Sequence, residues 1–166
     1  KIGDTTRVSN QVFGIYSETT GNEVVNIGSI KTGNETVGIY GKDNNITSGG
    51  NIAVGNSSIG IYSNGGTVDF TSNLTIGDSK SIGVYGINGA NITNTSSNIQ
   101  MGESSYAFVI NSGSNLVNKG SITLGNNNIF VYKEGTGLIT SNSNSVISST
   151  GSNDIAFYLS NGGSLN

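Results

Sequence analysis

Apolar and polar residues alternate along this chain in short stretches that never sustain a helical period. The clearest stretch is a four-residue word, apolar–small–apolar–Tyr: Phe13-Gly14-Ile15-Tyr16, Val37-Gly38-Ile39-Tyr40, Ile59-Gly60-Ile61-Tyr62 and Ile82-Gly83-Val84-Tyr85. Degenerate copies follow at Tyr106-Ala107-Phe108-Val109, Ile129-Phe130-Val131-Tyr132 and Ile155-Ala156-Phe157-Tyr158. Their last residues lie 24, 22, 23, 24, 23 and 26 positions apart. A second word, apolar–x–apolar with Thr32 the one polar third position, runs into Gly33, Gly55, Gly77, Gly102 and Gly125, and loosens to Val146-Ile147-Ser148-Ser149-Thr150 before Gly151. Between the two words stands one more apolar position: Val24, Ile46, Val68, Ile92, Leu116 and Leu138. Each repeat therefore predicts three short strands separated by Gly, Asn and Ser turns.

A repeat of this kind cannot bury its apolar face alone, so stacking of repeats is the natural solution. The expected fold is all-β: a single-chain, right-handed parallel β-helix of about seven coils, each of about 22–26 residues and three short strands. Residues 1–166 then form one β-helix segment. The chain has no Pro, which suits strands whose every N–H is needed by a neighbouring coil. Strict alternation would turn Val37 and Ile39 inward and Gly38 and Tyr40 outward, and likewise Ile52 and Val54 inward with Ala53 outward. Asn26, Ser48, Asn94 and Asn118 then fall at an inward bend, where stacked amides can bond along the axis. Asn34, Asn56, Asp78, Glu103, Asn126 and Ser152 form a second polar column, after the Gly expected to supply a positive φ at that corner.

Composition narrows the chemistry. The chain has no Cys and no His, so disulfides, thiol nucleophiles, Cys/His zinc sites and His-based catalysis are excluded. Seven basic residues against ten acidic ones, with Arg7 the single arginine, offer no footprint for nucleic acid. Gly, Asn, Ser and Thr make up more than half of the 166 residues, as in a linker, yet 33% apolar content in repeating order argues for a folded rod. No cofactor motif is present: no GxxxxGK[ST] loop and no GGxGxDxUx calcium repeat. Asp78 and Glu103 are expected at equivalent corners of adjacent coils, where such a pair could hold a cation or share a proton. The neighbouring Asn and Ser make solvated turn residues the simpler expectation.

The candidate site is the outward aromatic column, Tyr16, Tyr40, Tyr62, Tyr85, Tyr132 and Tyr158, broken by Val109. Beside it the pattern places Gly14, Gly38, Gly60, Gly83 and Ala107, giving a shallow groove floored by Gly and walled by Tyr. Such a groove suits a sugar or a partner protein, since Tyr contributes large area at low entropy cost. Equally, each Tyr can simply cover a neighbouring Gly and stack on its own copies.

The run VGIYGKDNNITSGGNIAVGNSSIGIYSNGGTVDFTSNLTIGDSKSIGVYG resembles the repeat region of bacterial autotransporter passengers, and is most similar to the very large adhesin-type ones with GIY repeats. The resemblance implies a β-helix exported through an outer-membrane β-barrel of the parent chain and displayed, extracellular, on the bacterial cell surface. It also implies attachment to host cells, other microbes or matrix, and no catalytic residues. The missing polar caps point to a segment of a longer solenoid whose exposed end strands can associate end to end. The expected function is therefore a cell-surface adhesin segment that binds a host or microbial protein or glycan. The alternative is a structural stalk presenting a distal binding domain. A polysaccharide-cleaving enzyme shares this fold class, but the chain lacks the clustered acids or the Arg/Lys base that such chemistry needs, so no enzyme activity and no cofactor is expected.

Overall fold

The computed structural model of the chain describes residues 12–166, and these form a parallel β-solenoid of about seven turns with no helix. One seven-stranded sheet collects the first strand of every coil: Val12–Ser17, Thr36–Lys42, Ile59–Asn64, Ile82–Ile87, Tyr106–Asn111, Ile129–Glu134 and Ile155–Ser160. A second seven-stranded sheet collects Glu23–Asn26, Asn45–Ser48, Thr67–Phe70, Asn91–Asn94, Asn115–Asn118, Leu138–Ser141 and Ser164–Leu165. The third side is divided into a four-stranded part, Ile30–Lys31 to Ile99–Met101, and a two-stranded part, Ile122–Leu124 with Ile147–Ser149. Every pairing is parallel and joins one coil to the next. The repeated words align residue on residue, as in Ile39↔Ile61 and Ile52↔Leu74.

The core is one thin cluster running along the axis. Ile39, Ile61, Val84, Phe108 and Val131 line it from the first sheet, and Ile46, Val68, Ile92, Leu116 and Ile139 from the second. Ile52, Leu74, Ile99 and Ile122 close it from the third side. The second strands show the expected period of two, with Val24 buried and Val25 half exposed. In the sixth coil the position shifts by one residue. Ile139, not Leu138, pairs with Leu116 and is buried, whereas Leu138 is exposed. Ile147 likewise takes the place of Ile122 while Val146 faces solvent. A one-residue slip inverts every side chain of a strand, and the apolar pairs Leu138-Ile139 and Val146-Ile147 hide that slip in the sequence.

Two expectations about glycine need correction. The first-strand word does not alternate. Its second residue faces inward together with its third: a Cβ on Gly60 would lie 2.5 Å from the Gly83 carbonyl oxygen and 2.9 Å from a methyl of the core residue Leu74. Gly38 is therefore interior, and Val37, which is buried but stands apart from the core cluster, lies on the outer face. Two successive inward residues mark a bend in each first strand, of the kind that a local irregularity introduces. The Gly that ends the third strand does not supply the positive φ either. None of Gly55, Gly77, Gly102, Gly125 and Gly151 adopts one, and the left-handed residues come two positions later, as Ser57, Ser104, Asn127 and Asn153. Gly55 is small because a Cβ would come within 2.7 Å of the Gly33 carbonyl carbon one coil below.

The polar columns are present and more extensive than the spacing suggests. Asn26 Nδ2 donates to Ser48 Oγ (3.2 Å) and Asn94 Nδ2 to Asn118 Oδ1 (2.8 Å), all four residues buried. Phe70 occupies the intervening rung and interrupts this ladder with a fully buried ring. Along the other corner, the amide or carboxylate oxygen of one coil accepts the backbone N–H of the next. Asn34 serves Asn56 (2.8 Å), Asn56 serves Asp78 (3.0 Å) and Asp78 serves Glu103 (2.8 Å). A third, buried column precedes the first strands. Ser58 Oγ accepts from Thr36 N, Ser81 Oγ from Ser58 N, and Asn128 Oδ1 from Ser105 N. These bonds satisfy corner N–H groups that leave the sheet ladders and would otherwise be buried without partners.

Candidate functional site

The outer face of the first sheet carries the Tyr column in the register that the spacing predicts, Tyr16↔Tyr40↔Tyr62↔Tyr85↔Val109↔Tyr132↔Tyr158. All six predicted tyrosines are thus brought into one line. The rings interact with their own copies. Tyr16 and Tyr40 stack at 4.9 Å and 11°, Tyr40 and Tyr62 at 5.3 Å and 18°, and Tyr132 and Tyr158 at 5.0 Å and 8°. Tyr62 and Tyr85 instead meet edge to face at 5.0 Å. Offset and edge-to-face pairs of this kind are worth roughly 0.5–1.5 kcal/mol each beyond their buried area.

Because the Gly column points into the core, it is not the floor of a groove. The neighbour of the Tyr column is instead the first residue of each word, which the bend turns outward: Phe13, Val37, Ile59, Ile82, Tyr106, Ile129 and Ile155. Phe13 packs edge-on against Tyr16 (5.0 Å) and Tyr40 (5.9 Å). Phe13, Val37, Ile59, Tyr40 and Tyr62 line a shallow groove of about 220 Å³. Tyr106, which the spacing does not single out, sits edge-to-face with Tyr132 at 6.1 Å and restores an aromatic ring beside the gap at Val109. The signal for this second column was present in the sequence, since the first letter of the word is always apolar. Strict alternation assigns it to the core.

The two columns are uncharged, and charged side chains stand at the margin two residues beyond the tyrosines, Glu18 and Glu134 acidic and Lys42 basic. Tyr16 Oη donates to Glu18 Oε2 (2.7 Å), and that bond to a carboxylate raises the phenol above its ordinary value, with desolvation adding to it. Tyr62 is raised by desolvation first and then by the Tyr85 and Tyr40 hydroxyls. Tyr132 is raised by desolvation and then by Glu134 and its aromatic neighbours. The hydroxyls therefore stay protonated donors at neutral pH.

Asp78 and Glu103 stand at adjacent corners as expected, and their oxygens are engaged in the ladder: Asp78 Oδ1 accepts from Glu103 N and Glu103 Oε1 from Asn126 Nδ2 (3.1 Å). Among the described residues no group of three or more His, Cys, Asp or Glu is placed to hold a metal ion. The chain matches no protein-family model, no curated protein and no solved structure.

Proposed function

We propose that this chain is a solenoid segment displayed on a bacterial cell surface, and that it attaches to a host or microbial protein or glycan through the aromatic–aliphatic strip of its first sheet. The observation that carries this reading is the continuity of the strip. Two parallel columns, one of tyrosine broken at Val109 and one mostly aliphatic, line the outer face of the first sheet, part-buried in the middle coils and exposed at Tyr16, Ile155 and Tyr158. At a rise of about 4.8 Å per coil the strip extends roughly 30 Å along the axis. Continuous aromatic–aliphatic surface is characteristic of contact sites, and Tyr is favoured there because it orders with little entropy loss. The likeness of the GIY words to autotransporter passengers supports the surface location and an anchoring β-barrel elsewhere in the parent protein.

A second reading is favoured by one specific observation. Tyr16, Tyr40 and Tyr62 cover each other's faces, so the column also stabilises the rod, and a stalk needs no more than that. One experiment separates the two. The purified chain and a folded Tyr40→Ser/Tyr62→Ser/Tyr85→Ser variant are presented to glycan arrays and cell surfaces. Binding by the chain that is lost in the variant identifies an adhesive face. No binding by either assigns the segment to the stalk.

A further inference from the structure

The third strands are hydrogen-bonded between every pair of neighbouring coils except one. Ile99–Met101 of the fourth coil and Ile122–Leu124 of the fifth belong to separate sheets, although each pairs with its other neighbour. The N–H that opens a third strand elsewhere donates to the next coil: Ile52 to Asn73 O (3.0 Å), Leu74 to Asn98 O (3.0 Å) and Ile122 to Val146 O (2.9 Å). The Ile99 N–H has no such acceptor among the described residues. Three further observations fall at the same junction. A Cβ on Gly77, Gly102 or Gly151 would lie 2.4, 2.6 or 1.7 Å from backbone one coil below, whereas on Gly125 it would meet only Asn128 Nδ2, at 3.4 Å. That Nδ2 is buried without a partner. The hydroxyls at its position in earlier coils, Ser58, Ser81 and Ser105, donate to a glycine carbonyl of the coil below (3.3, 3.2 and 2.8 Å). Aromatic ring contacts, among the described residues, link each coil to the next except the fourth to the fifth. The first and second sheets run unbroken across this junction. Its corners are held as well, by Ser121 N–H to Ser97 Oγ (3.3 Å) and Ser104 N–H to Asn126 O (3.1 Å).

Met101 stands at this seam. It packs against the core cluster yet is partly exposed, where Val54, Ile76 and Leu124 at the same position are buried. It is the single Met of a chain with no Cys, His or Trp, so the most readily oxidised side chain sits at the one unpaired junction. We propose that Met101 is a reversible oxidation site, and that its oxidation parts the third side of the rod between the fourth and fifth coils. Hydrogen peroxide is the oxidant. The thioether sulfur attacks one peroxide oxygen, the O–O bond breaks, and the departing hydroxide takes the proton of the transferred oxygen and leaves as water. Sulfur is oxidised by two electrons to the sulfoxide, and the peroxide is reduced by two. The product exchanges a flexible apolar side chain for a polar one and weakens its packing on the core. No ladder bond resists separation here, so the loss appears as local opening.

The test follows amide exchange of the whole chain, residue by residue, by nuclear magnetic resonance before and after hydrogen peroxide treatment. In the untreated chain the Ile99 N–H is expected to exchange at least about fivefold faster than that of Leu74 or Ile122, the scale of one net hydrogen bond. After treatment, mass spectrometry is expected to place one added oxygen on Met101. Exchange is then expected to accelerate along Ile99–Met101 and Ile122–Leu124, while first- and second-sheet amides of the same coils stay slow. Methionine sulfoxide reductase is expected to restore the original rates, and Met101→Leu to keep its own rates under peroxide. Equal rates at Ile99, Leu74 and Ile122 in the untreated chain overturn the seam. Unchanged exchange after full oxidation, loss of protection in all three sheets, or equal acceleration in Met101→Leu overturns its coupling to Met101.

Discussion

At the scale of single residues, the thin core makes each inward position costly to change. Ile61 is fully enclosed between Ile39 and Val84. Ile61→Ala is expected to lower stability by about 2–5 kcal/mol, and Ile61→Asp, which buries an unpaired charge, to abolish the cooperative melting transition followed by circular dichroism. An unchanged melting curve for Ile61→Asp would refute the inward assignment. Lys133 is the converse case. Desolvation lowers its folded-state value below the ordinary 10.5, so between the two values the unfolded chain holds the extra proton. Stability then rises with pH through that window, being lowest where the lysine is charged in both states. The raised tyrosines act oppositely, losing stability above about pH 10 as the unfolded phenols ionise. The difference between the chain and Lys133→Met isolates the lysine: the urea midpoint of the variant is expected to exceed that of the chain at pH 7 and the gap to close towards pH 10.

At the scale of elements, the bend in the first strands decides what the outer face looks like. With the second and third residues of each word both inward, the first and fourth emerge together, and the aliphatic and Tyr columns stand side by side. Gly60→Val should be far more damaging than its exposure suggests, because its Cβ meets both the Gly83 carbonyl and Leu74. Overpacking of this sort costs about 1–3 kcal/mol or more, measurable as a fall in denaturant midpoint. Val109→Tyr, by contrast, adds a ring on the outer face between Tyr85 and Tyr132, and its thermal midpoint is expected to be unchanged or higher. A large loss there would show that the gap is filled by packing the structure requires.

At the scale of the whole molecule, stability is a sum over neighbouring coils. Each coil contributes only a handful of buried apolar side chains, which cannot offset the ordering of more than twenty residues. A chain ending after Asn64 keeps fewer than about three full coils and is expected to show no cooperative unfolding by circular dichroism.

What could be read from the amino-acid order was everything that repeats. The spacing of GIY words determined the coil length, the parallel register, the Tyr column and two of the polar ladders. In a stacked solenoid each coil occupies the same environment, and equal environments select equal residues. What needed the tertiary structure was everything decided between coils. That Gly38 faces in and Val37 out follows from the carbonyl of the coil above, which no window of local sequence contains. The slip to Ile139, the Phe70 rung and the role of Tyr106 likewise depend on which neighbour lies one rise away. A period-two pattern gives the alternation of a strand but not the bend that breaks it, because the bend arises from backbone packing against backbone.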